Sequence, residues 1–243
     1  MNIIAAVNES TVLTDEQVVV AIAGIDHQIH RDLKPAWGSR ASIRFYPRGT
    51  VPLNAWMLVI MDDSDQADAL GYHDVTRTGR PLGKVFAKTD MEFGLSWTVT
   101  ASHEVIEMLL NPQLENTVFD QSDIAAGTLY ARELCDPCEA DLYSYKVHGV
   151  QVSDFVLPPW FYSGSTEPGT RYDFVGFMTR PLQLLPGGYI SIFEIPNDGN
   201  GWSQLLHDEQ RGLGMRAPEA PQSARRFRQL RDRVTGCLVK SVC

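Results

Sequence analysis

Apolar residues recur at helical spacing near the start of the chain, over residues 14–34. The stripe on one face consists of Val18, Ile22, Ile25 and Ile29. Thr14 can cap such a helix, with Gln17 three positions later as the second half of a capping box. Because the ring of Pro35 disfavours continued helix, the pattern predicts one amphipathic helix that ends before that residue.

Four shorter apolar segments follow and have the patterns of strands. Residues 41–47 alternate between apolar and polar positions, and residues 55–63 form a continuous apolar run typical of a buried strand. Residues 69–75 and 83–89 are two further short runs, separated by the turn-rich segment TRTGRP. We therefore expect a small mixed sheet after the first helix.

A second helix is predicted over residues 93–110. Its apolar positions include Val99, Ile106, Leu109 and Leu110. They cover so much of the helix surface that the helix is expected to lie in the core. It ends at the dipeptide NP, because Pro112 disfavours helical backbone at the residue before it.

The remainder of the chain has weaker patterns. Beyond residue 163 it is rich in glycine and proline, and we expect an irregular C-terminal region. The basic stretch RRFRQLRDR at 225–233 is interpreted as the solvated face of a short terminal helix. With no repeat and no linker visible, the prediction is a single α+β domain over 1–243, in which 1–112 carry the helices and sheet and 113–243 the rest.

Composition and charge narrow the classes of function. The chain has 243 residues, 44% of them hydrophobic, and a formal net charge of −9. That charge argues against a nucleic-acid partner, because phosphate binding needs a basic surface. No apolar run is long enough to span a membrane and no signal peptide is visible, so we expect no membrane partner and a cytoplasmic location, or export by a leaderless route.

The most informative segment is TVTASHEVIEMLLNP, residues 98–112, which contains His-Glu-x-x-Glu. On a helix, His103 and Glu107 project from the same side one turn apart, so both can bind one ion. Glu104 is rotated by about 100° and would lie beside the ion, where it can act as general base towards a metal-bound water. The alternative is an ordinary polar helix face. The apolar flanks count against it, because a core helix rarely carries three such residues unless they are paired or bind metal.

A further ligand is expected from the acidic segment ARELCDPCEAD, residues 131–141. Glu133 and Asp136 are the main candidates, and Glu139 remains open. For any one of these residues, the alternative is a solvated acidic turn.

The order of helix, strands and a second helix carrying His-Glu resembles the zincin-like metallopeptidase fold. The stretch SHEVIEMLLNP followed by ELCDPC is also similar to a looser zincin-like group, which includes the plant phosphate-induced, exordium-like proteins. The resemblance covers about residues 40–140. It implies that His103 and Glu107 are zinc ligands, Glu104 the base, and Glu133 or Asp136 the remaining ligand. It also implies that the strand before the second helix, GKVFAKT, is an edge that pairs with an extended peptide substrate.

One departure from that family concerns the metal. Glu107 stands where zincins usually have a second histidine, so the ligand set is harder and more negative. Zinc remains the expected ion, with Mn²⁺ or Ca²⁺ as less favoured alternatives.

Other residues could contribute to the site. His73 and His148 could be extra ligands or oxyanion donors, and Tyr143, Tyr145 and Tyr189 could be donors; the alternative for each is a structural role. Cys135 and Cys138 form a C-x-x-C that we interpret as a buried or disulfide-linked pair shaping the acidic loop. A reduced, intracellular environment fits the four cysteines.

The sequence therefore predicts a zinc-dependent hydrolase, most simply a metallopeptidase with a peptide or protein substrate. A zincin-like binding or structural module, in which a metal only stabilises the fold, is the main alternative. A third hypothesis has no metal and assigns a thiol–disulfide activity to CDPC.

Overall fold

The structure is a computed structural model that describes residues 2–66, 69–121, 125–196, 201–207, 214–218 and 226–229. The helices are α1 (Asp15–Gln28), a π-helical turn (Ile29–Leu33), α2 (Lys34–Trp37), α3 (Ala87–Glu92) and α4 (Trp97–Leu110). The strands of the first half are β1 (Asn2–Asn8), β2 (Ala41–Phe45), β3 (Trp56–Met61), β4 (Ala69–Val75) and β5 (Pro81–Phe86). Those of the second half are β6 (Thr117–Gln121), β7 (Gly127–Ala131), β8 (Tyr145–Val147), β9 (Val150–Val152), β10 (Tyr189–Ile195), β11 (Ser203–His207), β12 (Gly214–Pro218) and β13 (Arg226–Gln229). The predicted α+β class is confirmed.

A six-stranded mixed sheet has the order β13-β4-β5-β3-β1-β2. Strand β1 lies inside it and pairs in parallel with both β2 and β3. The expectation that the chain begins with a helix is therefore wrong, because a strand precedes α1. The segment IIAAV is short and contains two alanines, so its apolar pattern is weak, yet Ile4, Ala5 and Ala6 are completely buried.

The first helix begins as predicted and ends later than predicted. Thr14 and Gln17 form the reciprocal capping box at its start. Helical backbone then continues through Pro35 to Trp37, and Gly38 ends it in the left-handed conformation at φ 72°. Proline is tolerated there because it lies in the first turn of α2, directly after the π-helical turn.

The predicted substrate edge is also wrong. Strand β5 pairs in parallel with β3 on one side and antiparallel with β4 on the other, so it has no free edge. A tight turn at residues 76–80 joins β4 to β5, so that β4 lies along the outer side of β5. A hydrogen bond from the Thr76 amide to the Arg80 carbonyl oxygen, at 2.8 Å, closes this turn. Strand β13 then pairs antiparallel with β4.

The second half of the chain contains more regular structure than its composition indicates. A five-stranded antiparallel sheet has the order β12-β11-β10-β7-β6, and β8 and β9 form a hairpin. The helix predicted at 225–233 is wrong at residues 226–229, which form β13; the rest of that stretch lies outside the described residues, as do Cys237 and Cys243. Among the described helices, none is long and apolar enough to cross a membrane.

Helix α4 is buried between two hydrophobic cores. Ala101, Val105 and Met108 face the core formed with α1 and the first sheet. Ile106 and Leu110 face the second core, which is built mainly from residues after 130, including Trp160 and Phe161. The polar side chains of this helix from residue 100 onwards are therefore shielded from solvent and must be accommodated inside the protein.

Candidate metal centre

Three ionisable side chains of α4 are buried at the junction of these elements. His103, Glu104 and Glu107 have relative exposures of 0%, 0% and 1%. His103 and Glu107 are one helical turn apart, and His103 Nε2 lies 3.2 Å from Glu107 Oε2. The helix thus brings these two donors together, as the sequence predicts.

The loop after β7 brings further carboxylates to the helix. The amides of Cys135 and Asp136 donate to Glu107 Oε1 at 3.0 and 3.2 Å, which ties the loop to α4. Asp136 Oδ1 then lies 3.3 Å from His103 Nε2. Glu139 also has a donor atom in this group, and both Asp136 and Glu139 are fully buried.

Glu133 enters from the same loop at a different position. Asn111, directly after α4, donates from Nδ2 to Glu133 Oε1 at 2.6 Å. The other oxygen of Glu133 lies 3.5 Å from Nε2 of His73. Of the two candidates for the remaining ligand, Asp136 is therefore the one that faces His103.

Strand β4 contributes His73, for which a structural role was the alternative at the sequence level. Its Nδ1 lies 3.4 Å from Glu104 Oε2 and 3.8 Å from Glu107 Oε2. Gly71 lies two residues earlier on the same face of β4 and lets this strand approach α4. A Cβ atom at this position would lie only 3.0 Å from Glu104 Oε1. His73 precedes the acidic loop by about sixty residues, so only the pairing of β4 beside β5 indicates that it belongs here.

The spacing of the donor atoms is informative. Charge-assisted hydrogen bonds between nitrogen and carboxylate oxygen are about 2.7–2.9 Å long. The contacts of His103 with Glu107 and Asp136 are longer, at 3.2 and 3.3 Å. Ligands about 2.0–2.1 Å from a tetrahedral zinc ion are about 3.3 Å from one another. His103 Nε2 is thus separated from Glu107 Oε2, and likewise from Asp136 Oδ1, by the distance between neighbouring ligands on one ion.

The charge of the cluster supports the same interpretation. Five buried carboxylates and two buried imidazoles meet here: Glu104, Glu107, Glu133, Asp136, Glu139, His73 and His103. The buried polar residues of the described chain include no lysine or arginine. Burying carboxylates without compensating positive charge is costly, and bound cations are one way that proteins offset it. Burial and the neighbouring Asp136 carboxylate raise the pKa of Glu107, against the lowering effect of the two loop amides.

Tyr189, at the start of β10, is a predicted donor that lies near this cluster. Its side chain is buried, and burial together with the negative charges of Asp136, Glu139, Glu107 and Glu104 raises the pKa of its phenol. The group therefore remains a neutral hydrogen-bond donor near the carboxylates.

The remaining predicted residues lie elsewhere. Tyr145 donates its hydroxyl to Asp32 at 2.8 Å and accepts from Gln28, so it faces the first helix. His148 is exposed in the turn between β8 and β9, against the ring of His27. Tyr143 belongs to the second core and packs against the exposed ring of Phe177.

The two cysteines of the loop are free and buried. Burial is the main cause that raises the pKa of the Cys135 thiol, and the negative charge of Glu107 raises it further. Burial also raises the pKa of the Cys138 thiol, with a smaller contribution from the charge of Asp154. Raised thiol pKa values disfavour the reactive thiolate and so count against a thiol–disulfide activity. Cys135 Sγ does lie within 4.8 Å of donor atoms of His103 and Glu107.

These residues fit a divalent cation. Three groups of donors each lie within 4.8 Å of one another: His103 with Asp136 and Glu139, His103 with Glu107 and Cys135, and His73 with Glu104 and Glu107. Imidazole and carboxylate together suit zinc, and carboxylate-rich sets also suit manganese.

Comparison with protein-family models, curated proteins and solved structures finds no match to this chain.

Proposed function

We propose that the protein is a metal-dependent hydrolase of zincin-like type whose substrate is a peptide or protein. The observation that carries the proposal is the buried cluster in which His103 Nε2 lies 3.2 Å from Glu107 and 3.3 Å from Asp136, at the spacing of ligands around one ion. The proposal is also supported by the buried helix α4, which carries His-Glu-x-x-Glu and packs on a mixed sheet. Both features belong to the resemblance to the zincin-like metallopeptidase fold.

In this proposal the ion is zinc, held by His103, Glu107 and Asp136. The two loop amides on Glu107 Oε1 fix that carboxylate so that Oε2 points to His103. Such orientation of a ligand by its hydrogen-bond partners is typical of metal sites. When bound, a divalent ion of this kind lowers the pKa of a coordinated water and polarises a carbonyl oxygen.

Glu104 is the proposed general base. It follows His103 on the helix, is fully buried, and packs against Gly71, where the absence of a Cβ atom leaves room for it. A carboxylate in this position can take a proton from a water and pass it to the leaving amine.

Metal content is the first test. Elemental analysis of protein purified without chelator should find bound zinc in the wild type and a loss in His103→Ala. The matched control is His30→Ala, which removes an exposed histidine of the first helical region. If the wild type contains no metal, or if His103→Ala keeps all of it, the proposed centre is wrong.

Catalysis is the second test. Glu104→Gln should lower kcat for peptide hydrolysis by about 10²–10⁴-fold, the usual contribution of a general base, while the His103 ligand set is retained. Glu92→Gln, which changes an exposed glutamate, is the control. Equal rates for wild type and Glu104→Gln would remove Glu104 from the mechanism.

The complete burial of the donors favours a second candidate, a binding or structural module in which the ion stabilises the fold. All seven side chains of the cluster have relative exposures of 0–1%. This candidate predicts stoichiometric metal but no hydrolysis of a broad peptide library by the wild type. Metal binding together with base-dependent turnover would exclude it.

A further inference from the structure

The cluster contains more donors than one ion needs. His103 Nε2 faces Glu107 Oε2 and Asp136 Oδ1, whereas His73 Nδ1 faces Glu104 Oε2 and the same Glu107 oxygen. Glu107 Oε2 is 3.2 Å from His103 Nε2 and 3.8 Å from His73 Nδ1, so a single oxygen faces both imidazoles. The first ligand set leaves His73 and Glu104 uncoordinated, although their donor atoms are 3.4 Å apart.

The geometry points to a second divalent-cation site formed by His73 Nδ1, Glu104 Oε2 and Glu107 Oε2, with Glu107 bridging the two ions. This inference rests on the proposed first ion at His103. The three donor atoms lie within 4.8 Å of one another, and all three side chains are buried. A zinc or manganese pair bridged in this way would have its ions about 3.5–4 Å apart.

The partners of His73 fit a metal ligand. While Nδ1 faces Glu104 and Glu107, Nε2 faces Glu133 Oε2 at 3.5 Å, and Glu133 is itself held by Asn111. A metal-bound histidine commonly donates its other ring N–H to a carboxylate, which fixes the tautomer and the ring orientation. Glu133 is in place to do this, which also explains why it faces His73 rather than His103.

The formal charge of the buried cluster favours two divalent ions over one. With both imidazoles neutral, the five carboxylates carry a formal charge of −5. One divalent ion leaves −3 in a buried site, and two leave −1. The smaller residual charge is the less costly to bury.

The second ion changes the role of Glu104. With one ion bound, Glu104 would act as the base; with two bound, it would be a ligand, and the two cations together would supply the acidification of water that Glu104 otherwise assists. The two-ion form is therefore a dinuclear hydrolase centre on the same helix.

The experiment combines stoichiometry with a spectroscopic measurement. Metal-free protein is loaded with Mn²⁺ or Zn²⁺, passed over a desalting column and analysed for bound metal, as wild type, His73→Gln and His103→Gln. We expect two ions per chain in the wild type and one in His73→Gln. The Mn²⁺-loaded wild type should give the electron paramagnetic resonance spectrum of a spin-coupled pair, and His73→Gln the six-line spectrum of an isolated ion.

The outcomes separate the two proposals. One ion per chain in the wild type, lost in His103→Gln and kept in His73→Gln, would leave the first site standing and overturn the second. No bound ion in the wild type would overturn both. If His73→Gln does not fold, the wild-type spectrum decides alone, because an uncoupled six-line signal at full loading excludes a bridged pair.

Discussion

At the scale of single residues, Gly71 is required by the approach of β4 to α4. A Cβ at this position would lie 2.6 Å from Thr100 Cγ2 and 2.9 Å from the Lys84 carbonyl oxygen, the second of which is backbone and cannot move easily. It would also lie 3.0 Å from Glu104 Oε1. The site therefore depends on glycine here for space.

We expect Gly71→Ala to lower the free energy of unfolding by about 1–3 kcal/mol, the usual cost of overpacking a core. Because the added methyl group also pushes on Glu104, turnover should fall as well. Urea denaturation and a peptidase assay measure the two effects. Gly164→Ala is the control, since nothing lies within 4 Å of a Cβ there and it should change neither quantity. An unchanged midpoint in Gly71→Ala would show that β4 can move away from α4 without cost.

A second prediction at this scale concerns pH. Burial, followed by the neighbouring Asp173 carboxyl, raises the pKa of Asp154 well above its ordinary value. Its Oδ1 accepts from the amides of Phe155 and Val175 at 2.8 and 3.1 Å. The folded protein therefore holds this proton more tightly than the unfolded chain does. Its contribution to stability is complete below the unfolded pKa and is lost as pH rises towards the folded pKa.

We expect Asp154→Asn to match the wild type near pH 4 and to become more stable than it as pH rises, because the amide keeps both backbone bonds without ionising. The difference in unfolding free energy should grow by at most about 1.4 kcal/mol per pH unit, the value for one proton. Urea denaturation between pH 4 and 8 measures it, with the exposed Glu167→Gln as control. A difference that does not vary with pH would contradict the assignment.

How far the site can be predicted from sequence depends on how local each contact is. His103 and Glu107 come together through helix geometry alone, which a spacing of four residues already specifies. Asp136 reaches the helix through a loop that returns to it, and the sequence does not specify the path of that loop. Sequence analysis therefore gives Asp136 only as one candidate ligand beside Glu133. His73 depends on the order of strands in a sheet, which pairs residues far apart in the chain, and its short segment GYHDV contains no feature that sets it apart from an ordinary strand.

At the scale of elements, Asn111 joins the end of α4 to the loop that carries Glu133. Its Nδ2 donates to Glu133 at 2.6 Å, and its Oδ1 accepts from the Asn116 amide at 2.7 Å. One side chain therefore sets both the direction of the chain after the helix and the position of the carboxylate that faces His73.

We expect Asn111→Ala to weaken metal binding by about 10–100-fold, the range found when a partner of a metal ligand is removed. Competition with a coloured chelator measures the affinity. Asn54→Ala removes an exposed asparagine and should leave it unchanged. Equal affinities in Asn111→Ala and the wild type would mean that Glu133 holds its position without this bond.

The elements themselves were predictable where the pattern was strong. The capped start of α1 and the buried α4 follow from apolar periodicity and cap residues. Strand β1 was missed because two of its five buried residues are alanines. Its burial comes from pairing with β2 and β3 on either side. Two of the C-terminal strands pair with partners distant in sequence, β10 with β7 and β13 with β4. Such pairing gives no local signal, and the glycine and proline content of this region indicated irregular structure instead.

At the scale of the whole molecule, α4 is packed by two cores, and its acidic cluster lies where they meet. Without cations, several buried carboxylates would repel one another between these cores. Metal that binds only the folded state stabilises it by mass action, by about 4 kcal/mol when the free ion is a thousandfold above its dissociation constant. In a chain of this size that corresponds to a rise in Tm on the order of 10 °C.

We therefore expect chelation to lower the Tm of the wild type by about that amount, and added Zn²⁺ to restore it. In His103→Ala the Tm should respond much less to chelator, because a ligand of the first ion is missing. Differential scanning calorimetry with and without chelator measures the shift, with His30→Ala as the control that should respond like the wild type. A wild-type Tm that is the same in both conditions would mean that the cluster is neutralised by protons rather than by metal.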